Sequence, residues 1–177
     1  MPARAVALDI GCQPSPSGSA ELILSGDGVA YVVFRAIDTK KSEQGVLKDL
    51  GVAVVECRGS VLTRHGYPND EGRLEHPLWP YGLAESTLSV CQVLDSDWAQ
   101  ELDGQMETSA RRIWGDSYEQ VYNVAEGELR NGRLSHYLFA FKETTFECFA
   151  QELVVTLHEG SYAMVAEQVL ARMLSDG

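Results

Sequence analysis

The sequence predicts an α+β fold with a mainly antiparallel sheet of about six to eight strands and two or three helices. Two predicted β-hairpins support antiparallel pairing, and strands and helices do not alternate regularly along the chain. An apolar stripe of period 3.6 near the C-terminus predicts an amphipathic helix. Because 177 residues suit one domain, we expect a single globular domain over residues 1–177.

The first hairpin is predicted in the N-terminal half. Two apolar runs, Glu21 to Ser25 and Val29 to Ile37, flank Gly26-Asp27-Gly28. Asp-Gly between apolar runs is a strong turn signal, because glycine accepts a positive φ. Val52 to Arg58 predicts a central strand, since both of its faces are largely apolar, and Ser60 to Arg64 predicts another strand.

Helices are predicted mainly in the second half. Asp95-Ser96-Asp97 offers N-cap oxygens. The apolar residues that follow, Trp98, Leu102 and Met106, recur every four positions and predict a helix of about three turns. Asp116 to Glu128 predicts a weaker helix. Asp38 to Leu50 predicts a polar connection or a short helix. The C-terminal helix is predicted from Tyr162, Val165, Ala166, Val169, Leu170 and Met173.

The second hairpin is predicted from Leu134 to Phe141 and Phe146 to Leu157, joined by a turn at Glu143-Thr144-Thr145. Aromatic residues in this region are expected in the core, together with Trp98: Tyr137, Phe139, Phe141, Phe146 and Phe149.

Four polar residues near this hairpin are given structural interpretations. His136 and His158 lie at strand positions or strand ends, where a lone histidine is expected to be a packing residue. Glu143 and Glu147 flank the turn and are expected to be solvated.

Acidic residues outnumber basic residues, 26 to 14, which gives a net charge of -12. Nucleic-acid binding is therefore not expected, because contacts to phosphate are made mostly by Lys and Arg. Nine acids between Asp95 and Glu128 face only Arg111 and Arg112. We interpret this stretch as a solvated face, with a docking surface for a basic protein as the alternative.

The four cysteines, at positions 12, 57, 91 and 148, are widely separated and form no C-x-x-C pair. We expect them to be reduced and buried. The sequence has no secretory h-region and no run of about 20 apolar residues, so we expect a cytoplasmic protein without membrane contact.

The chain lacks the common nucleophile, phosphate-loop and zinc motifs. Polar residues instead concentrate in the irregular stretch 65–83, and six of them are candidate binding residues: His65, Tyr67, Asn69, Asp70, Glu71 and His76. Such side chains could bind a divalent metal or form an acid/base set if the loop folds them together. The favoured interpretation is structural: Asn69 and Asp70 make turn hydrogen bonds, and the histidines are partly exposed. Because no ligand pair has a short fixed spacing, we expect no metal and no cofactor. The apolar residues of the stretch predict an ordered segment that packs Leu78 and Trp79 against the sheet.

Three strings resemble a group of uncharacterised, mostly bacterial proteins: RHGYPNDEGRLEHPLWPYGL, DSDW and HYLFAFKETTFECFA. In that group a GYPND-E...HPL...GL loop precedes an S-x-W helix start and an F-x-F...TFEC hairpin. The resemblance covers about Val54 to Ala150 and implies an architecture without an activity. It marks as motif residues Gly66, Tyr67, Pro68, Asn69, Asp70, His76, Pro77 and Leu78.

The sequence does not identify a function, and three classes stay open. The first is a non-catalytic domain that binds a small ligand or a protein. The second is an acidic immunity or inhibitor-type protein that covers a basic partner. The third is a metal-assisted hydrolase that uses the His65–His76 loop.

Overall fold

The computed structural model describes residues 2–17, 20–26, 28–38, 47–85, 89–118 and 134–175. Within these ranges the α+β class and the mainly antiparallel pairing are confirmed. The described residues contain ten strands in two antiparallel sheets, so the predicted count of six to eight was too low. The predicted helix count is not matched either, since the described residues form two α-helices and several short 3-10 turns.

The strands in chain order are β1 (Arg4–Ala7), β2 (Gln13–Pro14), β3 (Leu22–Gly26), β4 (Val29–Ile37), β5 (Asp49–Arg58), β6 (Leu62–Gly66), β7 (Val90–Leu94), β8 (Ser135–Ala140), β9 (Thr145–Ala150) and β10 (Glu152–His158). The helices are α1 (Asp97–Trp114) and α2 (Tyr162–Ser175). Sheet I has the order β1-β7-β8-β9-β6. Sheet II has the order β10-β5-β4-β2, with β3 also paired to β4.

The main core lies between the two sheets, because side chains alternate between the two faces of each strand. On β9, Phe146, Cys148 and Ala150 point into this core, where they meet Val32 and Val55 of sheet II. The aromatic residues predicted for the core are buried, except Trp98, which is half-buried.

Each sheet is also covered on its outer face. Val165 and Val169 of α2 pack on the outer face of sheet II, next to Val33 and Val54. The outer face of sheet I carries a smaller apolar cluster that includes Leu78 and residues of β1, β7 and β8. The segment that covers the outer face of sheet I forms the candidate site.

The predicted hairpins are present, with one correction. Leu22–Gly26 pairs with Val29–Ile37, and β8 pairs with β9 across a turn in which the Phe141 amide donates to the Thr144 carbonyl at 3.0 Å. The run from Phe146 to Leu157 is not one strand, because it breaks at Gln151 and passes from sheet I to sheet II.

Some predicted segments fall outside the described residues. Most of the helix predicted at 116–128 lies there, as does most of the connection at 38–50. Neither helix in the described ranges is both long and apolar enough to cross a membrane.

Candidate functional site

The segment from Tyr67 to Glu85 lies over the outer face of sheet I. It contains three 3-10 helices, Gly72–Glu75, Trp79–Tyr81 and Leu83–Glu85. Leu78 and Leu83 are buried against the sheet, whereas Trp79 is only half-buried. The prediction of an ordered, packed segment is therefore confirmed for Leu78, and Leu83 replaces Trp79 as its second anchor.

Polar contacts join the start of this segment to the β8–β9 hairpin. The Thr145 hydroxyl donates to the Pro68 carbonyl at 2.8 Å, and the Asp70 amide donates to the Lys142 carbonyl at 2.7 Å. The buried guanidinium of Arg73 donates to the Phe141 carbonyl. These bonds fix the segment above the strands that carry the polar residues of the site.

Gly82 allows the segment to approach β1 closely. Its φ is 103°, and a Cβ at this position would collide with the carbonyl oxygen of Ala5. Glycine is therefore required here both for its backbone conformation and for its missing side chain.

The centre of the site is Glu147, on the outer face of β9. The strand register places Arg64 of β6 directly opposite Glu147, while Leu138 of β8 is its partner on the other side. His136, two residues before Leu138, projects from the same face of β8. Three adjacent strands thus bring a carboxylate, a guanidinium and an imidazole together.

The Glu147 carboxylate is bonded on both oxygens. The Arg64 Nε donates to Oε1 at 2.7 Å and Nη2 donates to Oε2 at 2.8 Å, which is the bidentate geometry of a strong ion pair. The His136 Nε2 lies 2.9 Å from Oε2, and the His76 Nε2 lies 3.7 Å from Oε1. Glu147 is only 4% exposed, so the prediction that it is solvated was wrong, whereas Glu143 is exposed as predicted.

The carboxylate stays ionised in this environment. Burial alone would raise the pKa of Glu147, but the imidazoles of His136 and His76 and the Arg64 guanidinium outweigh burial and hold it well below its ordinary value.

Each histidine is oriented by a second bond. The Leu78 amide donates to the His76 Nδ1 at 3.1 Å, which leaves the proton of the neutral ring on Nε2, towards Glu147. The His136 Nδ1 lies 2.8 Å from the hydroxyl of Ser96, the N-cap of α1, whose oxygen accepts from the Ala99 amide at 3.2 Å. The predicted N-cap region of α1 is therefore confirmed, and its serine belongs to the buried polar network.

Aromatic rings support the network from one side. The Arg64 guanidinium carbon lies 4.2 Å from the centroid of the Trp98 ring, a cation–π contact. The Trp98 ring also contacts His136 and Phe149, with centroid distances of 5.2 Å and 4.7 Å. Arg64 is thus held by its bidentate ion pair with Glu147 on one side and by the face of the Trp98 ring on the other.

Two cavities meet at Arg64, His76 and Pro77. The first, of about 360 Å³, is called the Tyr67 cavity, and its other lining residues are His65, Gly66, Tyr67, Pro68, Glu75, Thr145 and Glu147. The second, of about 260 Å³, is called the Ser96 cavity, and its other lining residues are Ala3, Leu78, Val93, Ser96, Asp97, Trp98, Glu101 and His136.

The six candidate residues of the sequence divide into two groups. His65, Tyr67 and His76 line the Tyr67 cavity. The three others do not line either cavity: Asn69, Asp70 and Glu71. The Asn69 side chain accepts from the Gly72 amide at 2.9 Å, which is the turn bond that the alternative interpretation expects.

Four residues of the network were missed as site residues: Arg64, Ser96, His136 and Glu147. The period-2 pattern of β8 and β9 does place His136 and Glu147 on the face opposite Phe139 and Phe146. It does not show that this face is covered.

Both histidines of the metal-assisted alternative have other partners in the structure. The His65 Nε2 lies 3.0 Å from the Thr144 hydroxyl, and the ring nitrogens of His76 face Leu78 and Glu147. Among the described residues, no group of three His, Cys, Asp or Glu side chains is placed to hold a metal ion.

Comparisons with family models, with curated proteins and with solved structures found no match to the chain. The resemblance based on the GYPND loop and the TFEC hairpin therefore stays a prediction.

Proposed function

We propose that the chain is a small-molecule-binding domain whose ligand occupies the Tyr67 cavity and accepts hydrogen bonds from Arg64. One observation carries the proposal. Arg64 directs two of its five N–H donors at Glu147, yet its side chain is 50% exposed and lines both cavities. Its remaining donors are available to a ligand.

The rigidity of Arg64 supports this proposal. A free arginine loses rotamer entropy when it binds a ligand, but the bonds to Glu147 and the contact with Trp98 already hold this one in place. A preorganised donor in a concave site is the usual way to fix the orientation of a small ligand.

The free-energy cost of burying charged groups in this network also supports the proposal of a binding site. Apolar side chains of similar volume often stabilise a protein as well as a buried ion pair does. A carboxylate with two imidazoles and a guanidinium is therefore not the simplest way to attach a loop to a sheet.

The charges of the cavity wall favour a neutral or zwitterionic ligand. The charge of Arg64 is balanced by Glu147, and Glu75 adds a further carboxylate, which accepts from the Tyr67 hydroxyl at 3.1 Å. A polyanion would be repelled by this wall, whereas a zwitterion could direct its carboxylate to Arg64 and its ammonium group to Glu75.

A thermal-shift panel tests the proposal. The probes are acetamide (neutral), glycine betaine and glycine (zwitterionic), acetate and inorganic phosphate. A probe at roughly 10 mM with a Kd of about 1 mM stabilises the fold by about 1.4 kcal/mol, or about 3 to 6 °C for a chain of this size. We expect neutral or zwitterionic probes to raise the Tm and phosphate to leave it unchanged.

Arg58→Met is the matched control for Arg64→Met. Arg58 is also about half exposed, at 47%, and is also paired with a buried glutamate, Glu56, but it lies on sheet II. Ligand shifts should disappear in Arg64→Met and persist in Arg58→Met. No shift with any probe in the wild type, or equal shifts in both variants, contradicts the proposal.

Binding of a basic protein is the second candidate, and α1 carries the observation that favours it. Exposed carboxylates, Asp97 and Glu101, lie near its start, and two exposed apolar side chains, Ile113 and Trp114, lie at its end. An apolar, aromatic anchor with polar groups at the rim is the usual anatomy of a protein interface. Capture of a basic protein that persists in Arg64→Met but is lost in Trp114→Ala would favour this candidate.

We also propose a cytoplasmic location without nucleic-acid binding. The four free cysteines support the location, because buried free thiols suit a reducing compartment. The net charge of -12 supports the absence of nucleic-acid binding.

A further inference from the structure

Ser96, His136 and Glu147 form a continuous hydrogen-bonded chain. The Ser96 Oγ lies 2.8 Å from the His136 Nδ1, and the His136 Nε2 lies 2.9 Å from the Glu147 Oε2. All three residues are more than nine-tenths buried. Arg64 holds the far end of the chain through its fork to Glu147.

The direction of the hydrogen bonds follows from the carboxylate. Glu147 is ionised and can only accept, so the His136 Nε2 carries a proton and donates it. In the neutral imidazole the lone pair is then on Nδ1, where it accepts from the Ser96 hydroxyl. The imidazole is therefore placed to remove the proton of the serine.

The backbone around Ser96 suits an oxyanion. Ser96 lies between β7 and α1, directly after Asp95, whose φ of 53° forms a sharp turn at the end of the strand. The Ala99 amide already donates to the Ser96 oxygen. The first amides of an α-helix have no acceptor within the helix, so those of Asp97 and Trp98 are the donors that we assign to the oxyanion of a bound ester.

The Ser96 cavity is the route by which a substrate would reach this hydroxyl. Ser96 and His136 both line it, and its apolar wall is formed by Ala3, Pro77, Leu78 and Val93. The volume of about 260 Å³ and the apolar wall suit a short acyl group. Two exposed carboxylates of the same cavity, Asp97 and Glu101, disfavour an anionic substrate.

We propose that Ser96 is the nucleophile of an acyl-transfer reaction on small uncharged esters, with His136 as general base and Glu147 as the positioning residue. This proposal does not depend on ligand binding in the Tyr67 cavity. The Ser96 Oγ attacks the carbonyl carbon, and its proton passes to the His136 Nδ1. The ester C–O bond then breaks, and the leaving alcohol takes the proton from Nδ1.

Water completes the cycle. The same imidazole removes a proton from a water molecule, whose oxygen attacks the acyl–Ser96 ester. The bond between Ser96 and the acyl group breaks, the serine oxygen regains a proton from Nδ1, and a carboxylic acid is released. The balance is one ester and one water converted to one acid and one alcohol.

Covalent labelling of the folded chain tests the nucleophile directly. Diisopropyl fluorophosphate is small and uncharged, and it forms a serine–phosphorus bond while fluoride leaves with the displaced proton. Ser161 is the internal control, since it caps α2 by accepting from the Met164 amide at 3.3 Å, is exposed and is bonded to no imidazole in the described residues. Intact mass and peptide mapping should show one adduct, on Ser96, formed at least about 100-fold faster than any adduct on Ser161.

Variants separate catalysis from folding. Ser96→Asn removes the nucleophile but keeps an oxygen that can cap α1, so it should retain the fold and lose labelling. If Ser96→Asn does not fold, labelling of the wild type decides the question. An unlabelled Ser96 in the wild type, or labelling no faster than that of Ser161, overturns the proposal.

Glu147 requires a readout that a structural role would not change. Hydrolysis of p-nitrophenyl acetate should release p-nitrophenol in a burst, and Glu147→Gln should lower the burst rate by about 100-fold or more. The downfield ¹H NMR signal of the His136 Nε2 proton should be present in the wild type and in Ser96→Asn and should be shifted upfield or lost in Glu147→Gln, because an amide oxygen is a weaker acceptor than a carboxylate. An unchanged burst rate in folded Glu147→Gln contradicts the role given to Glu147.

Discussion

Replacing Glu147 with glutamine should destabilise the fold far more than a surface substitution does. Three donor–acceptor contacts end on the carboxylate, at 2.7, 2.8 and 2.9 Å. A hydrogen bond to a charged group contributes about 1 kcal/mol more than its neutral counterpart, which gives about 3 kcal/mol for the three contacts. Solvent around the half-exposed Arg64 reduces its two contributions.

Glutamine introduces a further cost. Its NH₂ group faces an Arg64 donor in either orientation, because Nε donates to Oε1 and Nη2 donates to Oε2, and a buried donor without an acceptor costs about 1–3 kcal/mol. With the two Arg64 contributions screened by solvent, the lost contacts account for about 1 kcal/mol. We therefore expect a total loss of about 2–4 kcal/mol, or a fall in Tm of about 4 to 16 °C. Chemical denaturation and calorimetry measure the two quantities, and Glu143→Gln, at an exposed position of the adjacent turn, is the control.

The free energy of unfolding should also depend on pH differently in the wild type and in Glu147→Gln. Since the pKa of Glu147 is lowered in the folded state, its stabilisation is complete above the ordinary value of 4.5 and is lost as the pH falls below that value. The difference between wild type and Glu147→Gln should then shrink by up to about 1.4 kcal/mol per pH unit below 4.5. A difference below about 0.5 kcal/mol at neutral pH, or one that persists unchanged at low pH, would refute the reasoning.

Three further predictions concern the packing around the site. Leu83→Ala should cost about 2–5 kcal/mol in the free energy of unfolding, and Trp79→Ala should cost less, because Leu83 is buried against sheet I and Trp79 is half-buried; a larger loss for Trp79 would contradict this assignment. Val165→Ala should cost about 2 kcal/mol where α2 packs on sheet II, while Leu170→Ala on the exposed side should stay within about 0.5 kcal/mol, and similar losses would place α2 differently. Ellman's reagent should find no fast-reacting thiol in the native protein and four after denaturation, because all four cysteines are buried and burial, assisted by Asp9, raises the pKa of Cys12 to about 11.

The sequence predicts the turns, the helix start and the buried helix face that depend only on neighbouring residues. The turn at Gly28 follows from a glycine with φ of 76°, and the start of α1 follows from Ser96, whose hydroxyl caps the helix. The apolar positions of α2 follow from period 3.6, and Val165 and Val169 are buried as that period requires.

The site depends on contacts that no local rule contains. Alternation along β9 separates Glu147 from Phe146 and Cys148, and in an antiparallel sheet the polar face is commonly solvated. Here that face is covered by a segment joined to it through Leu78 and Leu83, more than 60 residues earlier in the chain. The strand break at Gln151 was missed for a similar reason, since the change from sheet I to sheet II is set by the packing of the two sheets.

The layered arrangement also defines where a reporter group can be attached. Both sheets separate α2 from the network around Glu147, and Leu174 of α2 is 75% exposed. The native thiols are all buried, so a cysteine introduced at position 174 would be the thiol that a maleimide reaches first. A fluorophore or surface linker attached there leaves both cavities open, which allows binding and labelling kinetics to be followed on immobilised protein.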